Sequence, residues 1–167
     1  MVVFVMTITT KLPTQCTQHE IMVFAALVVS GGQATMAPAG LRDRIMDARN
    51  LCFVKEANGD TIAVGALKNS RLSYRVSVFN KAGYTGAYQF GLELGWFVVS
   101  PAHRGKGLLV TMVETLMRQA GGDRLFATTR IDNAPMMRVL LVKGFSKVGN
   151  DYDNIAGDGK LALYVKT

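Results

Sequence analysis

The residues Val99-Ser-Pro-Ala-His-Arg-Gly-Lys-Gly-Leu108 place two glycines and two cations between an apolar, strand-like run and a run with helical periodicity. The first turn of a helix presents backbone N–H groups without intrahelical acceptors. Together with the positive end of the helix dipole, these favour anions. Gly105 and Gly107 let the backbone approach a ligand closely, while Arg104 and Lys106 add charge. The chemistry this spacing suits is the holding of a phosphorylated ligand. A Walker A loop is excluded, because no Ser or Thr follows the Gly105-Lys106 pair. A dinucleotide-binding loop would need a third glycine where Leu109 stands.

A second candidate lies just upstream. Glu93 is the only acidic residue between Asp60 and Glu114, and it sits in an otherwise apolar run. A carboxylate in such a run is either on a wet face or held for a purpose. Other polar residues carry less. His103 reads as a solvent-facing or phosphate-adjacent residue of the loop, and His19 as a residue at a helix N-terminus. The methionines at 112, 117, 136 and 137 fall at helical spacings and read as core. No His, Cys and carboxylate cluster suggests a metal.

The elements that must position these residues follow from pattern and punctuation. Val2–Thr9 reads as a strand and His19–Ser30 as a helix ended by Gly31-Gly32. Ala39–Ala48 reads as a second helix on Leu41, Ile45 and Met46. Strands are expected over Leu51–Lys55 and Thr61–Leu67, joined by Asn58-Gly59, a pair suited to a type I′ turn. In the stretch 69–90, Tyr74–Lys81 could form a short helix and the remainder reads as loop. A strand over Gly91–Val99 feeds the glycine loop, followed by a helix with apolar positions 109, 110, 113, 116, 117 and 120. Next come a strand, Leu125–Thr129, and a helix capped by Asp132-Asn133 with Pro135 in its first turn, ending at Lys143-Gly144. Phe145–Gly149 and Leu161–Lys166 finish as antiparallel strands across a turn-rich connection.

Composition sets the class. With 167 residues, 49% apolar and 19% charged, the chain is expected to form one globular domain with a substantial core. Its longest apolar run, Ile21–Val29, is far short of the roughly 20 residues a membrane span needs. No basic segment precedes the apolar N-terminus, so no secretory signal is expected. Cys16 and Cys52 form no disulfide framework, and a reduced, cytoplasmic protein is expected. The net charge of +7 would suit a polyanion such as nucleic acid. Yet the basic residues are dispersed. Lys68, Arg71, Arg75 and Lys81, in a stretch without acids, read as a solvated surface rather than a nucleic-acid track; the other reading is that some of them line an anionic-ligand site.

The element order β-α-α-β-β-β-α-β-α-β-β, with two motifs, resembles the GNAT N-acetyltransferase superfamily. Its signature Q/R-x-x-G-x-G/A falls on Arg104, Gly107 and Leu109, and its V-x-P on Val99 and Pro101. A second region matches at Asn133, Met136, Val139, Gly144 and Phe145, with Lys143 one place closer to the glycine than usual. The likeness is clear over Gly91–Phe145. It implies one domain over 1–167, an α/β (α+β) fold with a mixed, mostly antiparallel sheet of about six or seven strands flanked by about four helices. It implies acetyl-CoA as acyl donor. The backbone of Phe97, Val98 and Val99 would pair with the pantetheine arm, and the N–H groups of Arg104, Gly105, Lys106, Gly107, Leu108 and Leu109 would hold the pyrophosphate. Asn133 would touch the arm, be a plain N-cap, or both. Glu93 lies six residues before Val99, where the histone-acetyltransferase branch places its general base.

Two residues depart from the family's pattern. Leu109 replaces the last Gly/Ala of the signature, and its side chain could point into the core. Leu140 replaces the tyrosine that often protonates the leaving thiolate. The resemblance implies acyl transfer, most simply acetyl, to a primary amine by direct attack in a ternary complex. The rival readings are an acyl-CoA-binding module without turnover and a basic nucleic-acid-binding protein. The acceptor would be a small-molecule or peptide amine, with no membrane involved and a homodimer compatible. Its choice would lie in the variable segments Gln15–Gly40 and Asn69–Phe90, where Tyr74, Tyr84 and Tyr88 line an acceptor pocket or simply pack.

Overall fold

The computed structural model describes residues 5–34 and 38–167. Among the described residues seven strands form one sheet: β1 (Thr7–Lys11), β2 (Asn50–Lys55), β3 (Thr61–Asn69), β4 (Leu92–Val99), β5 (Leu125–Arg130), β6 (Ser146–Asp153) and β7 (Lys160–Lys166), in the order β1-β2-β3-β4-β5-β7-β6. Five α-helices accompany them among the described residues: α1 (Gln18–Ser30), α2 (Pro38–Met46), α3 (Leu72–Ala82), α4 (Leu108–Ala120) and α5 (Ala134–Val142). The expected mixed, mostly antiparallel sheet is present, with one helix more than expected. The extra helix is α3, in the segment that reads ambiguously in sequence. The expected first strand began at Val2, and Val2–Phe4 lie outside the described residues. None of the described helices is long and apolar enough to cross a membrane.

The chain divides into two units, residues 1–68 with 95–119 and residues 69–94 with 120–167. In the first, β1 pairs antiparallel with β2, and β2 with β3. Residues 51–54 of β2 and 62–68 of β3 are buried without a polar alternation, as expected for strands covered on both faces. One face carries Leu51, Phe53, Val64 and Ala66 against Ile21, Phe24 and Val28 of α1 and Leu41 and Ile45 of α2. Met46, grouped with Leu41 and Ile45 by spacing, is 39% exposed, so the inward stripe of α2 is the i, i+4 pair alone. On the other face Gly65 leaves room for the Phe97 ring, beside Leu116 of α4. Cys52 is fully buried in β2, and burial pushes its thiol up to about 12.

A polar clamp fixes the start of α1. Thr17 Oγ1 accepts the Glu20 N–H at 3.1 Å and the Thr17 N–H donates to Glu20 Oε2 at 3.0 Å, a capping box. Glu20 Oε1 also accepts from Lys11 Nζ at 2.7 Å and Lys55 Nζ at 3.0 Å, tying α1 to β1 and β2. Burial acts to raise the Glu20 carboxyl, but hydrogen bonds from Lys11, Thr17 and Lys55 outweigh it and hold the group at about 2.

In the second unit β5 pairs antiparallel with β7 and β6 with β7, while Leu92 and Glu93 of β4 pair parallel with Leu125 and Phe126 of β5. Its core gathers Val78, Phe79 and Ala82 of α3 with Phe90, Phe126, Leu163 and Val165. The end of α5 is a Schellman motif: Phe145 N–H donates to Leu140 O, Gly144 N–H to Leu141 O, and Gly144 has φ +87°. The expected strand 145–149 runs on to Asp153, because β6 has a register shift between Val148 and Tyr152. Gly149 makes this shift fit: at φ +65°, an added Cβ would lie 2.1 Å from the Ala82 carbonyl.

Candidate functional site

The glycine loop belongs to the first unit. After β4, a 3-10 turn over Pro101–His103 is closed by the His103 N–H donating to Ser100 O at 2.9 Å. Gly105 and Gly107 then adopt φ +77° and +74°, the left-handed region in which any side chain is strained. A Cβ built at either meets nothing within 4 Å, so both glycines border open space that a side chain would fill. Helix α4 begins immediately, with Gly107 O accepting the Thr111 N–H at 3.2 Å and its hydroxyl at 3.1 Å. The first N–H groups of α4 therefore follow a backbone turn that only glycine adopts easily, the arrangement an anion cradle needs.

The side chains around the loop differ from simple expectation in three places. Leu108 is buried while Leu109 is only partly so, and the inward stripe of α4 is Leu108, Met112, Val113, Leu116 and Ala120. Val110, expected on that face, is 36% exposed. Val113, Leu116 and Ala120 are buried as expected, and Leu108 joins them in place of Leu109. His103 is not solvent-facing: Nδ1 lies 2.7 Å from Ser100 Oγ and Nε2 lies 2.9 Å from Glu56 Oε1. Arg104 is exposed, and its Nε donates back to Val99 O at 3.2 Å. Lys106 is also exposed.

The part of β4 in this unit presents Phe97, Val98 and Val99. Val98 is buried with its methyls against Gly31, where an added Cβ would come within 2.6 Å. The Ser100 N–H donates to Ile62 O of β3 at 2.8 Å, so strand alternation turns the Val98 groups toward β3 and those of Phe97 and Val99 the other way. The preceding residue is the backbone exception of the strand. Trp96 has φ +57°, a conformation that costs a bulky residue about 1–3 kcal/mol. Its ring is gripped by Phe24, edge-on at 6.1 Å between centroids, and by Lys68 Nζ at 4.6 Å. Lys68 is thus buried over an indole rather than part of a solvated surface. Nothing in the sequence announced a left-handed tryptophan there.

Glu93 belongs to the second unit and is 2% exposed, so the wet-face alternative does not hold. Its Oε1 lies 3.4 Å from Tyr74 Oη, which comes from α3. Tyr152 of β6 lies close enough to feel its charge: burial first, and then Glu93, push the Tyr152 phenol above its ordinary range, with Thr128 pulling the other way. Tyr152 therefore stays protonated. It was not singled out in the sequence, because it lies in a stretch that reads as turn. Of the other flagged tyrosines, Tyr84 packs on Phe79 and Tyr88 is 77% exposed. Arg75, read as a surface cation, instead donates from Nη1 to the Ala87 and Phe90 carbonyls at 3.0 and 3.1 Å, fixing the approach to β4. Arg71 and Lys81 are exposed.

Asn133 caps α5, its Oδ1 accepting the Met136 N–H at 3.3 Å. Leu140, at the position of the family's tyrosine, is fully buried. The second unit thus holds a buried carboxylate among phenols, suited to moving a proton. The first holds a backbone cradle, suited to an anion.

The model of the acetyltransferase (GNAT) family matches residues 28–145. No curated protein matches the chain in sequence. Among solved structures, an acyl-CoA N-acyltransferase from Pseudomonas aeruginosa superposes with a TM-score of 0.72 at 14% identity, covering 98% of this chain and 100% of that one. The yncA protein of Salmonella typhimurium, solved with its cofactor acetyl-CoA, gives 0.63 at 18% identity over 97% and 93%. The ribosomal-protein-S18-alanine N-acetyltransferase of Escherichia coli gives 0.67 at 13% identity over 96% and 92%.

Proposed function

Because the chain belongs to the GNAT acetyltransferase family, whose acyl donor is acetyl-CoA, we propose that it is a single N-acetyltransferase domain acting on a primary amine of a small molecule or peptide. Acetyl-CoA supplies an activated thioester carbonyl. The chain's part is to bind, orient and move a proton. The N–H groups of Arg104 to Leu109 hold the pyrophosphate, with Arg104 and Lys106 adding charge. The backbone of Phe97 to Val99 pairs with the pantetheine arm, Phe97 and Val99 being the better directed, and Asn133 contributes from the start of α5. Glu93 takes the proton that an ammonium must lose before the amine attacks, directly or through water. Leu140 cannot return a proton to the leaving thiolate. A thiol with an ordinary pKa of about 8.5 is a fair leaving group without one.

The observation that carries this reading is the pair of left-handed glycines opening onto free space directly before α4. It is tested by calorimetric titration with CoA and by thiol release from acetyl-CoA over a broad amine panel. Gly107→Val is expected to lose at least about thirtyfold in CoA affinity, since a β-branched residue at φ +74° is strained by about 2 kcal/mol and fills the cradle. Unchanged affinity overturns the loop assignment. Tight CoA binding without turnover on any amine favours a binding module instead.

A further inference from the structure

His103 is tied on both sides of its ring. Ser100, three residues back at the end of β4, meets Nδ1 at 2.7 Å. Glu56 meets Nε2 at 2.9 Å from 47 residues away, in the hairpin between β2 and β3. The His103 and Glu56 side chains are 17% and 26% exposed. The turn that hands β4 to the glycine loop is therefore fastened to a neighbouring hairpin through an imidazole.

Both charge states of that imidazole satisfy the same contacts. When neutral it donates from Nε2 to Glu56 and accepts the Ser100 O–H at Nδ1. When protonated it donates from both nitrogens, with Ser100 Oγ as acceptor. The geometry survives, but the net charge of the pair does not. Glu56 with a neutral imidazole carries one negative charge at the entrance to an anion loop, and with an imidazolium it carries none. The other charged groups nearby are Arg104 and Lys106 of the loop itself, Lys55 beside Glu56 and bonded to Glu20, and Asp60 across the hairpin, which accepts from Asn58 Nδ2 at 2.8 Å. Carboxylates, lysine and arginine ordinarily keep their charge across the range in which imidazole changes its own.

We propose that His103 is a positioning residue of the phosphate loop, and that its partnership with Glu56 sets the loop's charge so that donor affinity rises when the imidazole is protonated. The proposal rests on the reading of the loop as the donor's phosphate site. It is tested by CoA titrations between about pH 5.5 and 8, the range in which imidazole changes charge, on the parent, His103→Gln, Glu56→Gln and Gly107→Val, with circular dichroism to establish folding. Relative to His103→Gln, the parent is expected to gain about two- to fivefold in affinity at the acid end, the size of one unit charge several ångströms away across a wet surface. The pH dependence that persists in His103→Gln belongs to the ligand's own phosphate. Glu56→Gln keeps an acceptor for Nε2 and removes the negative charge, so it should bind CoA more tightly than the parent at the alkaline end by a similar factor. A clamp with a structural role alone gives the opposite sign, weaker or unchanged binding. That result overturns the proposal, as does a His103→Gln profile identical to the parent's. Should His103→Gln not fold, Glu56→Gln decides by itself. If Gly107→Val also binds like the parent, the loop reading falls first.

Discussion

The two units each bury a glutamate, and the pair are opposites. Glu20, 7% exposed, is met by two ammonium groups and a backbone N–H, which hold its carboxyl at about 2. Glu93, 2% exposed, is met by the phenol of Tyr74, and the neutral phenol of Tyr152 lies close enough to feel its charge. Burial acts to raise the Glu20 carboxyl, and the company it keeps outweighs that effect. Protonating a carboxyl held near 2 at neutral pH costs about 7 kcal/mol, which removes Glu20 from any proton transfer and leaves it as a clamp. The proposed proton transfer is assigned instead to Glu93, whose Oε1 lies 3.4 Å from Tyr74 Oη.

The sharpest way to break this contrast is Glu93→Gln. Turnover should fall by about a hundredfold, the usual scale for a lost general base, with CoA affinity and melting temperature unchanged. A pH–rate profile like the parent's ends the assignment. Glu20→Gln should do the reverse, costing about 2 kcal/mol of stability, with part of the effect screened by solvent at the half-exposed lysines, while the folded protein turns over normally. The sign follows from a carboxyl lowered from 4.5 to about 2 on folding. Its stabilisation is complete above the unfolded value and fades as pH falls toward 2, so the variant should show a flatter acid limb in urea melts. Gly149→Ala separates stability from chemistry in Glu93's own unit. Its Cβ would press on the Ala82 carbonyl and cost about 1–2 kcal/mol. If it depresses turnover as much as Glu93→Gln, the Glu93 effect is one of folding. Smallest is Tyr74→Phe, expected to lower turnover about two- to fivefold by removing one weak hydrogen bond and to move the acidic limb of kcat/KM. A profile that does not move places Tyr74 in packing alone.

What the chain reveals in one dimension is its local backbone chemistry. The loop glycines, the Asn133 cap and the Lys143-Gly144 stop act over a few residues, and each is where the spacing put it. On α4 the periodicity finds Val113, Leu116 and Ala120 but not Leu108, which looks like part of the glycine loop. Helix α3 was blurred because Arg71 makes no side-chain cap and its core contacts, Val78, Phe79 and Ala82, are made with distant strands. The bulge at Gly149 disguised half of β6 as turn. The pairings of Glu56 with His103 and of Glu20 with Lys55 join residues 47 and 35 apart, and no local pattern encodes them. Glu93 was conspicuous by its isolation, but its phenolic setting comes from α3 and β6.

The buried thiol of β2 has a practical corollary. A thiolate, not a thiol, attacks a disulfide reagent, and Cys52 is both enclosed and held at about 12. Burial, reinforced by Glu20, also raises the Cys16 thiol, whose Sγ donates to the Leu12 carbonyl at 3.6 Å. Both cysteines should therefore label slowly, so in a colorimetric assay of coenzyme release the early signal belongs to the product and the enzyme supplies its own quiet baseline.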